Sequence, residues 1–149
     1  MNEKDVIDFG LELNRFLAER FKYSARFAKS RCDLWGSKVD IKTPKYRIVV
    51  SWKDYENTIS ITAISFTQTN NAGHGTAVLS WLVGKSERYG YERIEFISVC
   101  TEKMKNFVRK FNFINHPQQK IFSDDDGWSK NWSSSVINLR ELICVNVPS

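Results

Sequence analysis

Cysteine is scarce in this sequence: the 149 residues contain three, scattered singly at Cys32, Cys100 and Cys144. An odd number of isolated cysteines argues against a disulfide framework and lacks the spacing of a zinc site. We therefore expect a reducing compartment, the cytoplasm, and no bound metal. Proline is equally scarce, with three residues, while 42% of the chain is hydrophobic, so the composition is that of a folded domain and not of a disordered chain.

Long apolar runs are missing as well. No stretch approaches the ~20 residues that a membrane helix needs, so no membrane association is expected. The charged start, residues 1–5, lacks the apolar core of a signal peptide. The length suits one domain, residues 1–149, with a proper core. A net charge of +5 suits an anionic ligand. The basic clusters are more typical of solvated helix faces than of a nucleic-acid patch, so a nucleic-acid partner is disfavoured.

What the sequence does contain is one dense series of signals between Ile59 and Phe113. The β-branched run 58–66 predicts a strand, and the small-residue loop 70–76 follows it. A helical pattern, a turn at Gly90, a second strand pattern and a second helical pattern complete the series. This order is typical of a unit that holds a phosphate-bearing ligand at a helix start. The first N–H groups of a helix lack internal partners there and carry partial positive charge.

The loop by itself is a modest signal. Gly73 and Gly75 permit dihedrals closed to other residues and a close approach of a ligand to the main chain. A sequence such as Asn-Asn-Ala-Gly-His-Gly is nevertheless more often a plain turn than a phosphate cradle. No Lys-Ser or Lys-Thr follows the second glycine, as a Walker loop would require, and the third glycine of a dinucleotide fingerprint is absent.

The spacing around the loop resembles the central motif of the GNAT N-acetyltransferase superfamily. That motif is Gln or Arg, two residues, Gly, any residue, then Gly or Ala. Asn70 stands at the Gln/Arg position, and Gly73-His74-Gly75 matches the remainder. Residues 104–113 are similar to the family's second motif, which ends in Gly-Phe. The resemblance covers about a third of the chain, with several features in the same order and spacing.

The resemblance implies an α/β (α+β) fold: a GNAT-like central mixed, mostly antiparallel sheet flanked by helices. That fold usually starts with a strand. Here an amphipathic helical pattern from Asp5 to about Phe21 leaves almost no room for one. We therefore expect the first strand to be missing or supplied otherwise. In the resembled fold, the strand before the loop separates from the next parallel strand, and the pantetheine arm of the cosubstrate fills the gap.

The resemblance also implies acetyl-CoA, or another acyl-CoA, as cosubstrate. By position in the motif, the end of the strand contacts pantetheine and the loop amides hold the pyrophosphate. Separately, one or two of the basic residues in the helical pattern after Thr101 are expected to approach the adenosine phosphate: Lys103, Lys105, Arg109 and Lys110. The implied cofactor-binding residues are Ser65, Phe66, Thr67, Asn70, Asn71, Ala72, Gly73, His74, Gly75, Thr76 and Thr101. The side chain of His74 is expected to point to solvent or to a phosphate.

Four positions depart from the family pattern. The opening basic or amide side chain is shortened to Asn70, Thr101 replaces a frequent asparagine, and Asn112 replaces the glycine before the final Phe. Val108 stands where a tyrosine often protonates the departing thiolate. No catalytic residue is assigned. The leading hypothesis is an N-acyltransferase that passes an acetyl group directly to an amine on a small molecule or protein, with a homodimer left open. The alternative is a catalytically impaired GNAT-fold binding or regulatory module, and a third reading is a small basic nucleic-acid-binding domain.

Several local expectations complete the prediction. Glu95 is expected at an exposed strand end, the alternative being a carboxylate that faces the groove and acts as a base through a water. Trp81 is expected in the core. A hairpin is expected from residues 46–52 and 58–67, and residues 33–45 are expected to be loop with a short edge strand at 39–41. The closing strand is placed at 135–142 or 139–147. Residues 123–128, with three aspartates, are expected to be a loop, and together with Trp128 and Trp132 beside the aspartates they are interpreted as a mouth for a cationic amine.

Overall fold

The computed structural model describes residues 1–67, 73–97, 99, 101–115 and 131–146. The helices in this part of the chain are α1 (Glu3–Phe21), α2 (Ala25–Ser30), α3 (His74–Arg88), α4 (Glu102–Lys110) and α5 (Val136–Asn146). The strands are β1 (Cys32–Trp35), β2 (Lys38–Lys42), β3 (Tyr46–Lys53), β4 (Thr58–Phe66), β5 (Arg93–Phe96), β6 (Ile114–Asn115) and β7 (Trp132–Ser135). These strands form one sheet in the order β1-β2-β3-β4-β5-β7-β6.

Helix α1 confirms the predicted amphipathic pattern. Asn2 and Asp5 form a reciprocal capping box at its start, and Lys22 ends it in the left-handed conformation. The apolar stripe, spaced at three and four residues, is buried against the sheet and belongs to the single core cluster. Its members are Val6, Phe9, Leu13 and Leu17.

The short strand expected at 39–41 is present as β2, although it is not at the edge of the sheet. The expectation of a loop over the preceding residues is wrong, because Gly36 makes a tight turn that lets β1 pair with β2. Its φ of +35° lies in the region that favours glycine. The turn joins Trp35 directly to Lys38 across an antiparallel hairpin. No strand precedes α1 in the described chain. The edge strand of the sheet next to β2 is β1, which follows α2. The first strand was expected to be missing or supplied otherwise, and it is supplied after the two helices.

The centre of the sheet combines the predicted hairpin with one parallel pair. Strands β3 and β4 are antiparallel, with a register shift between Val49 and Val50 that leaves Thr62 of β4 without an opposite residue. Strand β5 runs parallel to β4 over four residue pairs and antiparallel to β7. The sheet is therefore mixed and mostly antiparallel, as expected. Side chains from α1, α3, α4 and α5 join those of the sheet in one core.

The expected closing strand at 135–142 or 139–147 is wrong. The strand is β7, which ends at Ser135, and residues 136–146 form α5. Val136, Leu139 and Ile143 are buried, which is the three- and four-residue spacing of a helix face and not the alternation of a strand. Among the described residues, no helix is both long enough and apolar enough to cross a bilayer. The acidic loop and its first tryptophan lie outside the described residues.

Two glycines in helices give a matched test of the packing of α1. A Cβ at Gly10 would lie 2.2 Å from Cδ2 of Leu34 in β1, whereas a Cβ at Gly84 in α3 would meet nothing within 4 Å. We expect Gly84→Ala to stabilise the protein by about 1 kcal/mol through helix propensity. Gly10→Ala should lose that gain, because Leu34 has to repack at a cost of about 1–3 kcal/mol. Urea unfolding of both variants measures the difference, and an equal gain in both would contradict the packing of Gly10 against β1.

Candidate functional site

A cleft opens where β4 and β5 separate. Their parallel pairing ends at Ile61 and Phe96, and the N–H of Ile97 makes one further bond, 3.0 Å, to the carbonyl oxygen of Ile61. Beyond this point β4 continues to Phe66 and is paired only with β3. The space on its other side is a cleft of about 930 Å³, bounded by β4, by residues that follow β5, by the start of α3 and by one face of α4.

The end of β4 presents main-chain groups to this cleft. The N–H of Thr67 donates to the carbonyl of Lys45 next to β3, at 2.9 Å. Because successive residues of a strand turn their main-chain groups to opposite sides, Phe66 and Ile64 turn theirs away from β3 and toward the cleft. Strand β5 is not paired with this part of β4, because the pairing of the two strands ends at Ile61 and Phe96. An extended ligand could therefore bond to β4 as a neighbouring strand would.

The start of α3 forms the second wall. Gly73 caps the helix with a φ of +72°, and its carbonyl accepts from the N–H of Ala77. The preceding N–H groups, of His74, Gly75 and Thr76, have no hydrogen-bond partner among the described residues. These three amides border the cleft and carry the partial positive charge of a helix start. The other predicted loop residues, Asn70, Asn71 and Ala72, lie outside the described residues.

The side chain of His74 is not directed to solvent, which was one of the two orientations expected. Its ring packs between Phe21 at the end of α1, at a centroid distance of 4.3 Å, and Phe66 at the end of β4, at 5.4 Å. The Nε of Arg20 donates to its Nδ1 at 2.7 Å. A ring that accepts at Nδ1 is neutral and carries its proton on Nε2. The Nε2 atom is buried and has no partner among the described residues.

Burial lowers the pKa of His74, and the charge of Arg20 lowers it further. Both causes disfavour the imidazolium form, because a charged ring would lose solvation and face a second cation. The neutral ring is also the form that can accept from Arg20. The geometry and the direction of the pKa shift therefore agree on one protonation state near neutral pH.

Helix α4 forms the third wall. Thr101 caps it by accepting from the N–H of Met104 and also borders the cleft. The aromatic ring of Phe107 lies against the start of α3, where a Cβ on Gly75 would meet its Cε2 at 3.2 Å. Val108, at the position where the resembled family often has tyrosine, is fully buried in the core and does not border the cleft.

Other predicted residues at the end of β4 are placed as follows. Ser65 and Phe66 border the cleft. The hydroxyl and the N–H of Thr67 both donate to the carbonyl of Lys45, so neither donor faces the cleft. The cationic side chains that border the cleft are Arg47, Lys103 and Lys110, and no aspartate or glutamate in the described chain borders it. The local electrostatic field therefore favours an anionic ligand.

Glu95 is a correction to the sequence-based expectation. It is 9% exposed and lies inside the sheet, where it accepts from Lys53 Nζ at 3.4 Å and from Ser60 Oγ at 3.3 Å. The three side chains come from the neighbouring strands β3, β4 and β5. The two donors stabilise the buried carboxylate of Glu95, which would cost free energy to bury without a partner. Glu95 does not border the cleft. Trp81 is half-buried and packs on the α1 rings of Phe9 and Phe16.

The environment of His74 predicts how stability depends on pH. Its folded-state pKa lies below the ordinary value of about 6.5, so the unfolded chain takes up the proton first as the pH falls. We expect the free energy of unfolding to fall between pH 7.5 and about pH 5.5, and this pH-dependent fall to be smaller in His74→Gln, because glutamine does not titrate. The other histidine, His116, provides the control His116→Gln. Urea unfolding of both variants at the two pH values is the measurement, and equal pH slopes would contradict the assignment.

Neither a protein-family model nor the sequence of a curated protein matches the chain. Solved structures do. A GCN5 protein from Tetrahymena superposes with a TM-score of 0.50 over 87% of this chain and 88% of its own, at 11% identity. A GNAT-family protein from Desulfovibrio desulfuricans superposes with a TM-score of 0.51 over 66% of this chain and 67% of its own, at 15% identity. At these identities the likeness is one of architecture: the chain has the fold of the GNAT acetyltransferase superfamily.

Proposed function

We propose that this protein is an acyl-CoA-dependent N-acyltransferase that transfers an acetyl group directly to an amine. One observation carries the proposal. Along a single cleft, the gap between β4 and β5 combines one side of β4 and three helix amides that have no partner among the described residues. An acyl-CoA has the matching parts in the same order: an extended arm with amide groups and a pyrophosphate. We further propose that the protein works in the cytoplasm.

The residues present fit this cosubstrate. The main-chain groups of Ile64 and Phe66 supply strand-like hydrogen bonds to the amides of the pantetheine arm. The N–H groups of His74, Gly75 and Thr76 receive the pyrophosphate at the positive end of α3. Of the basic residues of α4, Lys103 and Lys110 border the cleft and are the ones placed to meet the adenosine phosphate.

Catalysis would come chiefly from positioning. The N–H of Ile64, unpaired on the cleft side, polarises the thioester carbonyl as the amine nitrogen attacks its carbon. The new C–N bond forms, the C–S bond breaks, the thiolate leaves with the sulfur electron pair, and the amine loses its proton to water. With Val108 buried, no side chain at that position protonates the thiolate. Water or a hydroxyl that borders the cleft would do so.

A second candidate is a GNAT-fold module that binds an acyl-CoA or a protein without turnover. The specific observation in its favour is that α4, which contains no tyrosine, places Val108 in the core and turns Phe107 to the cleft. Binding would survive that change, because the amides and the strand side do not depend on it. Turnover with an amine, on a small molecule or a protein, decides between the two candidates.

Binding is tested by thermal unfolding with acetyl-CoA. At a ligand concentration about 100 times Kd, we expect stabilisation of about 2.7 kcal/mol, which is a rise in Tm of roughly 5–10 °C for a chain of this size. Gly73→Val or Gly75→Val should abolish the rise, since one forces a side chain into left-handed backbone and the other presses on Phe107. Gly84→Ala is the control that keeps it. No shift at millimolar acetyl-CoA would overturn the proposal.

Turnover is tested by the release of free thiol from acetyl-CoA with amines of different classes: polyamines, aminoglycosides, amino acids and peptides. We expect thiol release above the rate without protein for at least one class, and a matching acetylated product by mass spectrometry. Stabilisation by acetyl-CoA without turnover across the panel would favour the binding module. Salt-dependent binding to DNA or RNA with no response to acetyl-CoA would favour a nucleic-acid-binding domain.

A further inference from the structure

Strand β1 forms an edge of the sheet, and in the part of the chain that the structure describes no strand pairs with its outer side. The N–H of Lys42 donates to the carbonyl of Arg31, directly before β1, at 3.1 Å. Because main-chain groups alternate along a strand, those of Cys32 and Leu34 point away from β2. The edge therefore presents donors and acceptors that a further strand could bind.

Large apolar side chains are exposed beside this edge. Trp35 of β1 is 59% exposed, and Nζ of Lys38 lies over its ring at 5.2 Å. Ile7 and Leu11 of α1 are also exposed, at 43% and 44%. Apolar groups that cluster in the open mark a surface for association more often than single ones do.

The position of Ile7 and Leu11 follows from the contacts of their neighbours in α1. Phe9 packs on β3 and on α3, whereas Gly10 faces Leu34 of β1. From Phe9 to Gly10 the helix surface therefore turns by about 100° from the centre of the sheet toward its edge. Ile7 and Leu11 lie about 60° and 100° further in the same direction. They are on the side of α1 that extends past β1.

Charge selects one register for two copies that pair their β1 strands about a two-fold axis. One register sets Asp33 opposite Asp33 of the second copy at the close, non-hydrogen-bonded separation, where like charges repel. With Leu34 opposite Leu34, Asp33 of each copy instead lies opposite Trp35 of the other, beside Lys38. Neither Asp33 nor Lys38 has an ion-pair partner within the described chain.

The register with Leu34 on the axis also brings the two α1 helices together. A Cβ at Gly10 would lie 2.2 Å from Leu34 of β1 and 3.4 Å from Val39 of β2, so α1 lies above the boundary between these strands. The two-fold axis passes half a strand spacing beyond β1. With strands about 4.8 Å apart, the two α1 axes are roughly 10 Å apart, which is the separation of packed helices. Ile7 and Leu11 of both copies meet there.

We propose that a second copy of this chain binds at this edge, with the β1 strands paired about Leu34 and the α1 helices antiparallel across the axis. Four-residue strands alone would bury too little area for a stable dimer, and the apolar side chains of α1 add to it. No residue of β1 or β2 borders the cleft, so the dimer does not depend on the proposed acyltransferase function.

The test is sedimentation equilibrium of the full chain over a range of concentrations. We expect a dimer whose dissociation constant rises about 100-fold in Leu11→Lys, because the substitution occurs twice in a symmetric interface and each costs about tenfold. Ile137→Lys is the matched control, since Ile137 is an exposed apolar residue of another helix, α5. Its effect should stay within about twofold. Far-UV circular dichroism and the Tm of each variant establish that it is folded.

A charge exchange tests the register. Asp33→Lys and Lys38→Asp should each weaken the dimer about tenfold, because each places like charges next to each other across the axis. The double variant restores opposite charges, keeps the net charge of the chain, and should return the dissociation constant to within about threefold of the unaltered protein.

A protein that stays monomeric up to about 100 μM overturns the proposal. So does a dimer that folded Leu11→Lys leaves intact, or that Ile137→Lys weakens equally, because its interface lies elsewhere. If both single charge variants weaken the dimer and the double variant does not recover, the register with Leu34 on the axis is wrong.

Discussion

Among the residues that the structure describes, the hydrogen bond from the N–H of Ile97 to the carbonyl of Ile61 is the last one that joins the parallel strands β4 and β5. Everything proposed for the cleft depends on its being the last. One residue later, at Thr62, β4 has a bulge. After the bulge, β4 stays paired with β3, but the register between the two strands has shifted by one residue. A bulge bends and twists its strand, which is how a sheet can open on one side without losing its pairing on the other.

The open side would be unstable without support from the helices. Helix α1 is tied to α3 at one end by Glu12, which accepts from Lys85 at 2.6 Å and Arg88 at 3.2 Å. The hydrogen bond from Lys85 is the main cause that lowers the pKa of Glu12. At the other end, the contact between Arg20 and His74 ties α1 to the first residue of α3. The cleft therefore has walls that are fixed by contacts outside it, so a ligand would meet preorganised amides.

The sequence predicted the features that depend on neighbouring residues and missed those that depend on residues far apart in the chain. The stripe of α1 and the β3–β4 hairpin follow local periods, and both were predicted. Strand β1 was missed, although a strand at the position of β2 was predicted, because its four residues include the charged Asp33 and a glycine follows them directly. Helix α5 was mistaken for a strand because its β-branched and apolar residues fit both periods over a short range. The contact of Arg20 with His74 joins residues 54 apart, and no local pattern indicates such a pair.

In the proposed reaction, the buried position of Val108 changes how the departure of the thiolate has to be explained. In the part of the cleft that the structure describes, the bordering cations are Arg47, Lys103 and Lys110, the positive end of α3 lies beside them, and carboxylates are absent from its border. A positive field of this kind stabilises an anion, and so it lowers the free energy of a thiolate relative to its thiol. A thiolate that is stabilised as it forms does not need a proton from a neighbouring side chain. The electrostatic field of the cleft and the missing tyrosine are therefore compatible within one mechanism.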